Sequence, residues 1–259
     1  MAFAQAIFEQ YWPCWQQLFA PTTRLYLGGV SLSALVEGNG SLLTEIAERY
    51  LSTEELARWN GFSQEKRRNE WLGGRLAAKL AGSALLGEPE AGWQNLVIRT
   101  EEDGRPYLTA EAGKMAPFIS ISHSGVLAAA LAANCPCGLD IQLTGERIHR
   151  VRERFAFPDE ETILQSSLEK SFAETERLTM LWAAKESVRK MIRSSPLLGL
   201  LEIRLLAGHG GQGTPQEPLL LTFASGREPG SCPPIISVLC FFADNLAWAM
   251  GCLPNITKE

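Results

Sequence analysis

The chain has 259 residues, 46% hydrophobic and 20% charged, with a formal net charge of −5. That balance describes an ordinary globular protein and disfavours wholesale binding to nucleic acid or an anionic membrane, both of which attract positive charge. Six dispersed cysteines and three histidines lack common zinc-site spacing, so free thiols in a reducing cytoplasm are expected.

The first segment, MAFAQAIFEQYWPCWQQLF, has no basic region ahead of its apolar residues and is broken by Gln5, Glu9 and Gln10. It is neither a signal peptide nor a membrane span. Its apolar residues recur at helical spacing, with Pro13 kinking or splitting the helix, and a packed amphipathic helix is expected. Ser52 followed by Glu55 reads as a capping box that opens a short helix through about Asn60. A longer helix follows from Gln64 to Leu86, with Leu72, Leu76 and Leu80 on one stripe. Gly73 and Gly74 sit in its middle, each costing about 1 kcal/mol relative to alanine, so another backbone or a ligand is expected close by.

Strand signals come next: Leu96 to Arg99, a turn at Asp103-Gly104-Arg105-Pro106, Phe118 to Ser122, a turn at Ser124-Gly125, and Val126 to Ala132. The strand at Phe118 places Ile119 and Ile121 on one face and Ser120 and Ser122 on the other, with His123 in the tight turn beyond. After a break at Asn134 to Pro136 the order repeats. A strand spans Gly138 to Leu143, a helical stretch Arg147 to Phe155, and a long helix Glu174 to Ile192. Strands are then expected at Leu201 to Leu206, Leu219 to Phe223, Ile235 to Phe242 and Leu246 to Cys252, with a surface loop over Gly208 to Glu217. The fold class is therefore α+β. Two similar halves, residues 1–133 and 134–259, each join a long helix to an antiparallel meander, with a ligand cleft expected at their seam.

Three short segments carry chemistry. On the strand G-L-D-I-Q, Asp140 and Gln142 point to one face, and their oxygens suit Mg²⁺, which shares its shell with waters and substrate phosphates. A solvated strand face is the plainer alternative. On the helix L-W-A-A-K-E-S-V-R-K, Glu186 and Lys190 are one turn apart, either an exposed ion pair or a carboxylate beside a cation for developing phosphate charge. In F-I-S-I-S-H-S-G, adjacent serine and histidine cannot face one another as a hydrolase pair, and no G-x-S-x-G elbow or P-loop occurs.

Taken in order, F-I-S-I-S-H-S-G, G-L-D-I-Q and L-W-A-A-K-E-S-V-R-K, preceded by the Gly104-Arg105-Pro106 turn, resemble the 4′-phosphopantetheinyl transferases of the Sfp type. The resemblance covers about residues 50 to 195. It implies a pseudo-dimeric enzyme, a cytoplasmic monomer, that moves phosphopantetheine from coenzyme A to a serine of an apo acyl or peptidyl carrier protein. By the same resemblance Asp140 and Glu186 bind Mg²⁺, with Gln142 as a third ligand where many relatives carry an acid. Lys190 contacts the α-phosphate, and Asp140, Glu186 and Lys190 form the catalytic set. His123, with Ser122 beside it, meets the pyrophosphate. Arg105 and Pro106 lie along the adenine, and Arg58 and Arg75 meet the 3′-phosphate. The cluster Arg147, His149, Arg150, Arg152 and Arg154 is either a docking face for an acidic carrier or a solvated helix face.

Overall fold

A computed structural model describes residues 9–11, 13, 15, 19–37, 40–109, 116–168, 172–192, 197–225 and 235–253. They form two compact units, Met1–Pro136 and Cys137–Glu259. Of the amphipathic N-terminal helix, Glu9 to Tyr11, Pro13 and Trp15 are helical and Trp15 is fully buried; its other residues lie outside the described set.

In the first unit β1 (Leu25–Ser31) precedes the helices α1 (Leu32–Glu37), α2 (Gly40–Tyr50), α3 (Thr53–Asn60) and α4 (Glu65–Leu86). A meander of β2 (Val97–Thr100), β3 (Pro106–Thr109), β4 (Phe118–Ser124) and β5 (Leu127–Ala133) follows, and β5 closes on β1. The sheet order is β1-β5-β4-β3-β2, antiparallel throughout. The capping box forms as its sequence signature predicts: Ser52 accepts from the Glu55 amide and Glu55 from the Ser52 amide. The helix α4 packs on β1, β4 and β5, and its buried face widens beyond the leucine stripe to take in Gly73, Gly74, Ala77 and Ala78.

The second unit follows the same plan. Strand β6 (Cys137–Leu143) leads into α5 (Arg147–Val151), a 3₁₀ turn (Arg152–Arg154), α6 (Pro158–Ser167) and α7 (Glu174–Met191). The meander β7 (Ile203–His209), β8 (Leu219–Ser225), β9 (Ile235–Ala243) and β10 (Leu246–Cys252) then returns, so the sheet order is β6-β10-β9-β8-β7. In both units a first strand pairs with the last, and one long helix covers the sheet.

The structure corrects the sequence reading at several points. Strand β1, strand β3 and helix α6 were not expected. His123 is not in a turn: β4 runs on through Ser124, His123 pairs opposite Ala128, and the chain reverses at Gly125-Val126. Strand β7 extends to His209, shortening the glycine-rich loop. Among the described residues no helix is long and apolar enough to cross a membrane, and Cys135, Cys137, Cys240 and Cys252 are thiols rather than disulfides.

Candidate functional site

Each long helix meets its first strand at a glycine. In the first unit a Cβ on Gly28 would sit 2.2 Å from the Ala77 carbonyl oxygen; in the second, a Cβ on Gly138 would sit 2.0 Å from that of Ser187. Only glycine permits such an approach of backbone to backbone. In the second unit Ser187 Oγ donates to the Gly138 carbonyl at 3.0 Å, pinning α7 to β6.

That crossing sets the positions of the acidic residues. Two residues beyond Gly138, Asp140 leaves β6 on the face that meets α7, and one residue before Ser187, Glu186 leaves α7; each is 7% exposed. Lys190, one turn along α7, donates from Nζ to Asp140 Oδ1 at 2.7 Å and to the Leu139 carbonyl at 2.8 Å. Arg189 Nη2 donates to Glu186 Oε2 at 2.6 Å. Burial pushes the Glu186 carboxyl above the ordinary carboxylate range; the charge of Asp140 pushes the same way, while Arg189 and Lys190 oppose it. Gln142 lies farther along β6, half-buried, its Nε2 donating to the Leu143 carbonyl at 3.3 Å. Thus Asp140, Glu186 and Lys190 are brought together within the second unit, with Gln142 on the same strand face.

Two nearby carboxylates are hard oxygen donors of the kind Mg²⁺ takes, and Gln142 can add a neutral oxygen. Among the described residues no group of three or more His, Cys, Asp or Glu side chains gathers. The donor set therefore fits a cation that completes its shell with water and substrate phosphate rather than one caged by protein.

The first unit carries the other group of predicted residues. A cavity of about 310 Å³ is lined by Arg58, Arg67, Trp71, Arg75, Pro106 and His123, with Glu70 in its wall. Arg75, 7% exposed, lies 4.7 Å above the Trp71 ring, and Arg58 lies 5.9 Å from it. Burial lowers the Arg75 pKa to about 10, aided by the charge of Arg58 and opposed by Glu55. His123 Nδ1 stands 4.0 Å from Glu70 Oε1, and Glu70 also faces Lys66 at 3.8 Å. The arrangement is a positive, aromatic-walled hollow suited to a phosphate-bearing ring system.

Arg58, Arg75, Pro106 and His123 share this cavity; Arg105 and Ser122 do not line it. The Arg105 guanidinium is drawn back to Asp103, with Nε 3.1 Å from Oδ2. Ser122 is buried on the strand face opposite Ile121 and His123. Sequence reasoning missed Arg67, Glu70, Trp71 and Arg189. The first three recur at helical spacing just before Gly74, whose missing side chain leaves room beside Ile121.

A family profile described as the 4′-phosphopantetheinyl transferase superfamily matches residues 136–228. The holo-[acyl-carrier-protein] synthase of Staphylococcus carnosus is 35% identical over 103 residues, which is 37% of this chain and 86% of that protein. The chain belongs to the 4′-phosphopantetheinyl transferase superfamily. A Bacillus subtilis transferase of the superfamily, also a holo-[acyl-carrier-protein] synthase, is 39% identical over 88 residues, 32% of this chain and 72% of its own. Among solved structures, the Helicobacter pylori holo-[acyl-carrier-protein] synthase in complex with coenzyme A aligns with 20% identity and a TM-score of 0.35. That alignment covers 42% of this transferase and 97% of the other chain.

A structural ion pair stands beside the proposed site. Lys185, which precedes Glu186, is fully buried: its Nζ lies 2.8 Å from Glu160 Oε2 and donates to the Phe155 carbonyl at 2.6 Å. Its pKa is lowered by burial, with Glu160 opposing.

Proposed function

We propose that this chain transfers the 4′-phosphopantetheine group of coenzyme A to a serine of an apo carrier protein, releasing 3′,5′-ADP, with Mg²⁺ as the metal. The observation that carries the reading is the buried Asp140–Glu186 carboxylate pair with Lys190 and Arg189 bonded to it. Its relatives' names point to the same reaction. Asp140 and Glu186 would hold the ion, with Gln142 as a neutral third donor. Mg²⁺ held there would supply positive charge against the pyrophosphate and against the charge that develops on transfer.

The residues of this chain do the rest. A carrier serine is a poor nucleophile at neutral pH and needs a base. Glu186, raised by its burial, accepts the hydroxyl proton as the serine oxygen bonds to phosphorus. The bond from that phosphorus to the 3′,5′-ADP oxygen breaks, and Lys190 neutralises the charge that departs. His123 donates to the pyrophosphate, while Arg58 and Arg75 meet the 3′-phosphate against the Trp71 ring.

The carrier is proposed to be acidic and to dock on exposed Arg147, Arg150 and Arg154. Arg152 drops out of this role, because its Nε and Nη2 bond Glu161 at 2.5 and 2.7 Å and its Nη1 faces Glu174 at 3.6 Å. The working form is proposed to be a monomer. The test is intact-mass analysis of apo acyl and peptidyl carrier proteins incubated with coenzyme A and Mg²⁺. One phosphopantetheine should be gained on a serine, with release of 3′,5′-ADP. No gain on any carrier that a known transferase modifies would overturn the reading.

A further inference from the structure

Two thiols of the second unit face one another across a strand pair. In the antiparallel ladder of β6 and β10, Cys137 stands directly opposite Cys252, so both side chains leave the same face of the sheet. Asp140 lies an odd number of residues farther along β6 and leaves the other face. The hydrogen-bond pattern sets how close the two thiols come. At the far end of the ladder the Thr144 amide donates to the Asn245 carbonyl opposite it at 2.9 Å, and hydrogen-bonded and non-hydrogen-bonded pairs alternate from there. Counting back along the unbroken register, Gly138 and Asp140 fall at hydrogen-bonded pairs, Cys137 and Leu139 at non-hydrogen-bonded ones. The Leu139 carbonyl accepts from Lys190, as a position with no bond to β10 can. Residues opposite one another at a non-hydrogen-bonded pair stand about 4.5 Å apart at Cα, with their side chains close together. A disulfide spans roughly 4.4–6.8 Å between Cα atoms.

The two thiols differ in access. Cys137 is 4% exposed, while Cys252, at the end of β10, is half-buried. Cys240 is kept apart, because it pairs opposite Ala249 and Ala249 opposite Asp140, which puts it on the other face. We infer that Cys137 and Cys252 are a thiol–disulfide pair, closed by a small-molecule disulfide into a bond that staples the first strand of the second unit to its last. The Cys252 thiolate attacks one sulfur of that disulfide and a small thiolate leaves. The Cys137 thiolate then attacks the Cys252 sulfur of the mixed disulfide, and the second small thiolate leaves. Two cysteine thiols are oxidised, one external disulfide is reduced to two thiols, and the two cysteine protons end on the departing sulfurs. The bond closes nearly all of the unit Cys137–Glu259 into one loop, and long loops are where a cross-link most restricts the unfolded chain.

The test holds the folded chain in buffers of rising oxidised over reduced glutathione, blocks remaining thiols with N-ethylmaleimide and maps peptides without reduction. One intramolecular bond should join the peptides that carry Cys137 and Cys252, and dithiothreitol should reverse it. Amide exchange in β6 and β10 should slow by about tenfold or more in the oxidised form. Cys252→Ser, at the half-buried position, should fold, form no bond and show no slowing under the same treatment. No bond at excess oxidised glutathione, a bond joining another pair such as Cys135 and Cys137, or glutathione retained on Cys252 overturns the pairing. A Cys137–Cys252 bond that leaves exchange unchanged overturns the staple.

Discussion

The two units run the same plan with different contents. Each begins with a strand that the last strand of its meander later covers, and each lays a long helix over that strand at a glycine. Gly28 meets Ala77 and Gly138 meets Ser187, at the same separation in sequence. Counting from those crossings, Asp140 corresponds to Val30, Glu186 to Leu76 and Lys190 to Leu80. Val30 and Leu76 are buried in the apolar core of the first unit, with Leu80 packed against it. One scaffold thus packs hydrocarbon where its counterpart places two carboxylates and an ammonium. The glycine crossing is a matter of backbone geometry, and we propose that the chemistry is set by three side chains around it.

A second shared device shows how the units differ in detail. In the first, Lys79 is 0% exposed, 2.7 Å from Glu55 Oε2, and donates to the carbonyls of Trp93 and Leu96. Glu55 in turn accepts from the Ile98 amide on β2. In the second, Glu160 ties Lys185 and accepts from the Leu205 amide on β7. In each case a glutamate at the start of a short helix joins the long helix to the first meander strand. The lysine comes two residues after the crossing in the first unit and two before it in the second, so the ion pair moves by about one helical turn.

The sharpest way to break this comparison is to exchange polar for apolar contents. Asp140→Ala and Glu186→Ala should nearly abolish transfer, several kcal/mol of transition-state stabilisation on the scale of metal catalysis, without unfolding the protein. Leu76→Ala at the corresponding position should do the reverse, lowering stability by about 2–5 kcal/mol while folded protein keeps its turnover. Initial rates and denaturant melts on the same preparations check both. Next in size, Glu55→Ala or Glu160→Ala strands a buried lysine and should cost about 3–5 kcal/mol. Replacing both partners of either pair with Leu and Met should cost much less, and equal losses would contradict the pairing as described.

Smaller effects follow. Arg58→Ala and His123→Ala should raise the KM for coenzyme A and leave that for carrier nearly unchanged; equal changes in both would take them out of the nucleotide pocket. Smallest of all, Gln142→Ala should lower activity mildly, since water can replace a neutral donor. Gln142→Glu should keep activity and shift the Mg²⁺ dependence to lower concentration, because a third carboxylate adds charge. Initial rate against Mg²⁺ checks this pair.

What could be read in advance follows the strength of local patterns. Helices α4 and α7 and the strands with clear alternation were legible because periodicity and caps are local. Strand β1 was not, since its Gly28-Gly29 pair reads as a break, and the helix backbone that demands Gly28 lies far away in sequence. Helix α6 was hidden by a polar run, PDEETILQSS, whose Glu160 is buried with Lys185 and the Leu205 amide as partners from distant elements. For the site, motif order pointed to Asp140, Glu186 and Lys190. No motif could show Arg189 on Glu186, Asp103 drawing Arg105 away, or Arg75 above Trp71. Those depend on side-chain geometry across elements.

The most direct test of the account is to give the second unit the contents of the first. A variant carrying Asp140→Val and Glu186→Leu keeps the glycine crossing, the Lys185–Glu160 pair and the first unit's basic cavity untouched. It should melt at or above the wild-type temperature and transfer no measurable phosphopantetheine to an apo carrier that the wild type modifies. Transfer at the wild-type rate in that folded variant would contradict the claim that the chemistry resides in these two carboxylates.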